Sequence, residues 1–117
     1  MKQTLFNPRH GLLRFTCSNG YDVSIGIGAG HYSDNHDMPF GCQEPIPTTT
    51  MEVAIFNESN AFVVLPYDVA AYVPVARLGD ILDAVEGRDW ERVCDLCNES
   101  DDDAEGKFPV NHLTSSL

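Results

Sequence analysis

The sequence predicts an α+β protein: an antiparallel sheet of about five strands, with one or two C-terminal helices on one face. Three observations indicate this fold. Residues 12–27 show a period of two around an Asn-Gly turn, residues 50–65 hold a second pair of apolar runs, and residues 74–97 carry apolar side chains at helical spacing. Strands and helices that occupy separate blocks of a chain are typical of this class.

The first hairpin is predicted from an alternation that continues on both sides of a turn. One face of it consists of Leu13, Phe15, Cys17, Tyr21, Val23, Ile25 and Ile27. Asn19-Gly20 stands between the two runs, and this pair favours the tight hairpin turns that need positive φ at both central residues.

Three further strands are expected after a long irregular segment. "TMEVAIF" (50–56) and "AFVVL" (61–65), separated by "NESN", predict a second hairpin. "DVAAYVPV" predicts a short fifth strand over Ala70–Val73 at a sheet edge, because Pro74 lacks the N–H that a central strand needs.

Two helices are expected next. Pro74 suits a first helical turn and Gly87 a C-terminal stop, while Asp89 suits the N-cap of a second helix. The apolar positions with helical spacing are Val75, Leu78, Ile81, Leu82 and Val85, then Trp90, Val93, Cys94 and Cys97. We therefore predict one domain over residues 1–97 and an acidic, flexible C-terminal tail over residues 98–117.

Composition restricts the possible partners. The formal net charge is −11 at 117 residues, which repels nucleic-acid phosphates and argues against direct nucleic-acid binding. This charge still permits a basic protein partner, or a small anion held by local donors. Alternatively, the acidic residues only keep the protein soluble. No apolar run reaches the roughly 18 residues of a membrane helix, and the N-terminus lacks a signal-peptide core. We expect no membrane association, a cytoplasmic location and reduced cysteines.

The segment "VSIGIGAGHYSDNHDMPFGC" is the main candidate for a ligand site. A dinucleotide-binding fingerprint would need glycine where the chain has His31, and no Walker lysine follows. Gly28 and Gly30 could still turn N–H groups towards an anion, beside His31, Tyr32 and Asn35, which could hold a phosphate and stack a base. The alternative is a bend whose polar side chains bond their own backbone.

Other motifs favour structural roles. Cys94 and Cys97 form a CxxC late in a helix among acidic residues, which opposes thiolate formation, so small core residues are the preferred interpretation and metal binding the second. Arg14, with Arg9 and His10, could supply cations to a bound anion if the first hairpin abuts the glycine loop.

Three segments carry a resemblance to known proteins. "VSIGIGAGHYSDN", "MEVAIF" and "DVAAYVPVARLGDIL" resemble a group of small uncharacterised proteins of tailed bacteriophages. In that group a strand enters a Gly-x-Gly-x-Tyr-Ser/Cys-Asp-type loop, two strands follow and a helix closes the domain. The resemblance covers roughly Asp22 to Val85, and Ala71 stands where glycine is expected. It implies a phage origin and an accessory role in the host cytoplasm.

Two functional hypotheses follow. The first is a non-catalytic inhibitor of a host defence system, a homo-oligomer that sequesters a small nucleotide-like signal without cofactor or metal. Its expected ligand-binding residues are Arg14, Gly28, Gly30, His31, Tyr32 and Asn35. The second is an acidic inhibitor that mimics nucleic acid and blocks a basic host protein. A metal-dependent enzyme built on His31, Asp34 and His36 is a distant third, so we expect no enzymatic activity.

Overall fold

The computed structural model describes residues 2–39 and 46–98 and confirms the α+β fold. The strands are β1 (Gln3–Asn7), β2 (Leu12–Thr16), β3 (Asp22–Gly26), β4 (Thr50–Phe56) and β5 (Val69–Pro74). A 3₁₀ turn (Val75–Arg77) leads into helix α1 (Leu78–Glu86), and helix α2 (Trp90–Asn98) follows.

The sheet follows the order of the chain. Its strand order is β1-β2-β3-β4-β5, and each neighbouring pair is antiparallel. A turn at Asn19-Gly20 joins β2 to β3 as predicted, but its type differs. Gly20 has φ 92° whereas Asn19 has no positive φ, and the Gly20 N–H donates to the Cys17 carbonyl at 3.1 Å. The Asn19 side chain donates to the carbonyl of Val85 at 2.8 Å, so this turn is fastened to the end of α1.

The two faces of the sheet have different surroundings. One face packs against the helices, and its core includes Val23, Ile25, Met51, Val53, Ile55 and Val73 with Ile81, Val85, Val93 and Cys97. Burial of such side chains stabilises a fold by about 1.5–3 kcal/mol each. The alternate residues Arg14, Ser24 and Ala54 are cross-strand neighbours on the opposite face, which we call the open face.

Two strand predictions need correction. The first correction is β1 (Gln3–Asn7), a strand that was not predicted. All five of its residues are exposed, so its sequence lacks the alternation of apolar and polar residues that indicates a strand with one buried face. Residues 61–65 turn back towards β4 through a single bridge between Phe56 and Phe62, but they form no strand. Val64 has φ 74°, which extended backbone cannot adopt, and Leu65 joins the core instead.

The predicted helices are present, with a difference at each end of the first one. Pro74 ends β5 and Val75–Arg77 form a 3₁₀ turn, so α1 begins at Leu78. Gly87 is the C-cap of α1, but its φ is −88°, and the left-handed conformation falls on Arg88 at φ 56°. The Asp89 carboxylate accepts from the Arg92 N–H at 3.3 Å, as an N-cap does. The tail prediction concerns residues 98–117, of which only Asn98 lies within the described residues.

None of the helices in the described ranges is long and apolar enough to cross a membrane.

Candidate functional site

The loop that leaves β3 is held together by its own buried polar groups. The Gly28 N–H donates to Ser33 Oγ at 3.1 Å, and Ser33 Oγ donates to Asn35 Oδ1 at 2.8 Å. Ser33 and Asn35 are both buried, and Gly28 has φ 97° with Met38 Sδ only 3.1 Å from the position of an added Cβ. The Gly28 N–H and the Asn35 side-chain oxygen thus have their hydrogen-bond partner, Ser33 Oγ, within the loop.

His31 folds back onto the end of β3. A Cβ on Gly26 would lie 2.4 Å from His31 Nδ1, so the ring occupies the space that glycine leaves free. Nδ1 lies 3.2 Å from Glu52 Oε1, and Nε2 contacts the carbonyl oxygen of His10. Both ring nitrogens of His31 are therefore in contact with oxygen atoms, which fixes the orientation of the ring.

The first hairpin abuts this loop. The Ile27 N–H donates to the Gly11 carbonyl at 2.9 Å, in the turn that joins β1 to β2. Together with the His31 contact to His10, this places the turn from Pro8 to Gly11 against the loop. Arg9 and His10 in that turn are exposed, and the hairpin abuts the loop, which is the arrangement in which they could supply positive charge to a bound anion.

The backbone of Tyr32 is held from both sides while its ring remains exposed. Its N–H donates to Glu52 Oε2 at 3.3 Å, and its carbonyl accepts from the Tyr72 N–H at 2.9 Å. The residue is 56% exposed. Burial in the core therefore does not explain the position of this ring.

Tyr72 sits in a β-bulge. Met51 pairs with Val73 and Val53 pairs with Ala70, so the two residues Ala71 and Tyr72 face the single residue Glu52. Tyr72 has φ 55°, which is unusual for a bulky side chain and costs free energy.

Three rings gather at this point and form what we call the aromatic cluster: Tyr32, His36 and Tyr72. The Tyr72 ring centroid is 6.4 Å from that of Tyr32 and 6.2 Å from that of His36. His36 Nδ1 lies 2.9 Å from the Ser33 carbonyl, which orients its ring. The bulge and the loop together bring these rings to the surface.

Asp34 anchors the far side of the loop. Its carboxylate accepts from the Thr49 N–H at 3.0 Å and from Thr49 Oγ1 at 2.6 Å, and it also contacts Thr48 Oγ1. Burial alone would raise the pKa of Asp34, but hydrogen bonds from Thr48, Thr49 and Thr50 outweigh it and lower the pKa to about 2. Asp34 therefore ties the loop to the residues that lead into β4.

Arg14 belongs to a different set of contacts on the open face. Its Nε donates to Asp22 Oδ2 at 2.6 Å, and its guanidinium lies 4.2 Å from the centroid of the Phe56 ring. It also contacts the side chain of Asn60. Its charge is thus balanced by Asp22 beside it.

The three cysteines within the described residues, Cys17, Cys94 and Cys97, have burial as their main feature. Cys17 and Cys97 are buried and Cys94 is partly buried. Burial raises the pKa of Cys17 to about 11 and that of Cys97 to about 12, and it also raises the pKa of Cys94. Within residues 2–39 and 46–98, no three His, Cys, Asp or Glu residues are grouped to hold a metal ion.

The expected ligand-binding residues therefore separate into three groups. Gly28 and Asn35 support the loop from inside, with Gly30 at an exposed bend of φ 85°. His31 and Tyr32 meet at Glu52, and Arg14 lies among the open-face contacts. Sequence reasoning misses Glu52 and Tyr72, because each meets the loop across a long sequence separation that a single sequence does not reveal.

Comparison of the chain with protein-family models, with curated proteins and with solved structures gives no match. What the loop does must therefore be inferred from its own chemistry.

Proposed function

We propose that the protein is a non-catalytic binding protein that sequesters a small nucleotide-like molecule at the aromatic cluster. The observation that carries this proposal is the backbone of Tyr72, held at φ 55° by its bond to the Tyr32 carbonyl. A strained residue of this kind costs on the order of 1–3 kcal/mol and is concentrated at functional sites. The strained residue here, Tyr72, carries an aromatic ring that lies beside the rings of Tyr32 and His36.

The cluster suits a planar ligand. Aromatic side chains stack on nucleobases, and each stack contributes about 1–3 kcal/mol without requiring a particular base. The Tyr32 N–H is bonded to Glu52 and its carbonyl to Tyr72, so binding at this residue costs less backbone conformational entropy than binding at a mobile loop residue.

The charges around the cluster favour a ligand with few phosphates. Asp34, Asp37 and Glu52 are acidic and would repel a polyphosphate chain. Arg9 supplies a positive charge nearby, in the turn that His31 contacts at His10. We infer a mononucleotide or cyclic nucleotide, with its base on the aromatic cluster and its phosphate towards that turn.

The biological setting of the proposal comes from the resemblance to phage accessory proteins. A binding protein made in an infected cell would remove a signal nucleotide on which a host defence depends. Sequestration requires no turnover, and the ligand should be released unchanged when the protein is denatured.

Binding can be tested with the purified full-length chain and a panel of mononucleotides, cyclic mononucleotides, cyclic dinucleotides and ATP. Melting temperatures would identify a ligand, calorimetry would give its affinity, and chromatography of the denatured mixture would show whether it is unaltered. Tyr32→Leu should weaken binding by about tenfold or more, the loss of one base stack. Tyr67→Leu is a matched control, because Tyr67 is 54% exposed and Tyr32 is 56% exposed.

The proposal is contradicted if no member of the panel raises the melting temperature, or if Tyr67→Leu weakens binding as much as Tyr32→Leu. Conversion of the ligand by the protein would also contradict it, since that outcome indicates an enzyme.

A second candidate rests on the distribution of charge. All 18 Asp and Glu residues lie at or after Asp22, and both helices present exposed carboxylates, including Asp80, Asp83 and Asp95. This surface favours an acidic inhibitor that mimics nucleic acid and covers the binding surface of a basic protein.

The second candidate predicts a different mutational pattern. The chain should displace labelled duplex DNA from its target protein, and added salt should weaken the complex. Asp80→Asn combined with Asp83→Asn should weaken this competition, whereas Tyr32→Leu should leave it unchanged. The opposite pattern would favour sequestration.

A further inference from the structure

Ser24 is a buried polar residue on the open face of the sheet. It lies on β3, directly between Arg14 on β2 and Ala54 on β4, and it is only 9% exposed. Within residues 2–39 and 46–98, its hydroxyl forms no hydrogen bond. Most buried polar groups have a partner, because an unsatisfied one costs free energy. The Ser24 hydroxyl therefore marks a place where a polar ligand atom would be stabilised.

The same residue lies in a groove that is mainly apolar. The groove has a volume of about 480 Å³, and its lining includes Leu5, Leu12, Arg14 and Phe56 besides Ser24. Ligand sites in proteins combine apolar walls with a few polar groups, in volumes of roughly 300–1,000 Å³. The groove has this composition and this size.

Arg14 supplies a second polar group to the groove. Its Nε donates to Asp22 Oδ2 at 2.6 Å, its Nη2 contacts Asn60, and its guanidinium lies over the Phe56 ring. These contacts fix the guanidinium, but none of the described residues accepts a hydrogen bond from Nη1. Arg14 and Ser24 are direct cross-strand neighbours, and the Cβ atoms of such pairs lie about 4.5–5.5 Å apart. One small acidic group can therefore reach both side chains.

The charge around the groove favours a ligand with a single negative charge. Residues 1–21, which contain β1 and β2, include Lys2, Arg9 and Arg14 and no carboxylate, in a chain of net charge −11. Asp22 offsets the charge of Arg14, so Lys2 and Arg9 supply the remaining positive charge. A monoanion is attracted to this part of the chain, whereas the acidic remainder repels a polyanion.

We propose that this groove binds a small hydrophobic carboxylic acid in its ionised form. The Ser24 hydroxyl and Arg14 Nη1 donate to the carboxylate, and such charge-assisted hydrogen bonds are stronger than neutral ones. The apolar part of the ligand lies along Leu5, Leu12 and Phe56, which removes apolar surface from water. This site does not include the aromatic cluster and does not rest on the function proposed for it.

Calorimetric titration of the full-length chain with 3-phenylpropionate and with octanoate tests the proposal. The matched controls are 3-phenylpropionamide and octanamide, which keep the apolar part of each acid and lack its charge. We expect each acid to bind about tenfold more tightly than its amide, or better. Backbone amide chemical shifts in β2 and β3 should change when the acid is added, whereas those of helix α2 should not.

Ser24→Ala separates ligand binding from folding. Because the hydroxyl has no partner in the described residues, its removal should leave the melting temperature unchanged or raise it. The same substitution should weaken acid binding by about tenfold, the loss of one hydrogen bond to a charged group.

A second pair of variants tests the arginine. Arg14→Gln should also weaken acid binding by about tenfold. Arg92→Gln is its control, because Arg92 lies on helix α2 and also pairs with an aspartate, Asp80, at 3.5 Å. That variant should bind the acid like the wild type.

Four results would overturn the proposal. They are no binding of either acid, equal affinity for acid and amide, a Ser24→Ala variant that binds like the wild type, and equal losses in Arg14→Gln and Arg92→Gln. A lower melting temperature of Ser24→Ala would also count against it, since the hydroxyl would then serve the fold. Tyr32→Leu should leave acid binding unchanged, so this proposal and nucleotide sequestration can fail separately.

Discussion

The Tyr72 N–H donates to the Tyr32 carbonyl at 2.9 Å, and this bond joins the bulge of β5 to the loop that follows β3. It accounts for two features together. The Tyr32 ring is exposed although its backbone is fixed, and Tyr72 adopts a positive φ that few bulky residues adopt.

This relationship predicts an unusual order of stability at position 72. Tyr72→Gly should be more stable than Tyr72→Ala by about 1 kcal/mol, because glycine adopts positive φ without the steric cost that a Cβ imposes. Urea unfolding of both variants measures the difference. If the alanine variant is as stable as the glycine variant, the backbone at this position is not strained.

The contact between His31 and Gly26 predicts strong coupling between the two positions. Gly26→Ala would push the imidazole away from Glu52 and His10, and overpacking of this kind costs about 1–3 kcal/mol. In the background of His31→Ala the same change should cost little, so a double-mutant cycle should show a large interaction energy.

Gly79 provides the control for that cycle. A Cβ at Gly79 would meet nothing within 4 Å, and the residue lies in helix α1. Gly79→Ala should therefore stabilise the protein by up to about 1 kcal/mol. Chemical denaturation of all four variants tests the prediction, and additive effects of Gly26→Ala and His31→Ala would contradict it.

Asp34 predicts a pH dependence at the acidic end. Its pKa falls from 3.8 to about 2 on folding, so its ionised form is favoured in the folded state. Its stabilising contribution is complete above pH 4 and is lost as the pH falls towards 2. The melting temperature of Asp34→Asn should lie below that of the wild type at pH 5, and the gap should narrow in acid. If the difference in melting temperature between the two proteins stays constant with pH, the charge of the Asp34 carboxylate does not contribute to stability.

The buried thiols predict an order of chemical reactivity. In a Cys42→Ser background at pH 8, iodoacetamide should modify Cys94 first, because it is the least buried of the three remaining cysteines. Cys17 and Cys97, whose pKa values burial raises to about 11 and about 12, should react when the protein unfolds. Mass spectrometry of digests would locate the modifications, and rapid modification of Cys97 in the native protein would contradict a core role for it.

The parts of the fold that sequence predicts are those with local signals. The Asn19-Gly20 turn, the alternation in β3 and the helical spacing from Val75 each arise within a few residues, and each is found in the structure. Residues 61–65 have strong β propensity, yet they form no strand. Leu65 packs in the core instead, and such tertiary contacts can override β propensity.

The site is less predictable because its contacts are not local. The sequence points to the loop and to Tyr32, but nothing near Glu52 marks it as the partner of His31, which lies 21 residues earlier. The bulge at Tyr72 is equally hidden. Its extra residue becomes visible when β4 and β5 are paired.

The strand order has a consequence for how the chain folds. Because every strand pairs with its neighbour in sequence, three of the four pairings close short segments, and such contacts form rapidly. The pairing of β3 with β4 must instead close the segment from Gly26 to Thr50, at a greater entropic cost. That same closure brings Glu52 to His31 and Tyr32. A newly made chain therefore joins Glu52 to His31 and Tyr32 at its slowest pairing step, and molecules that have not reached this step lack the surface proposed for binding.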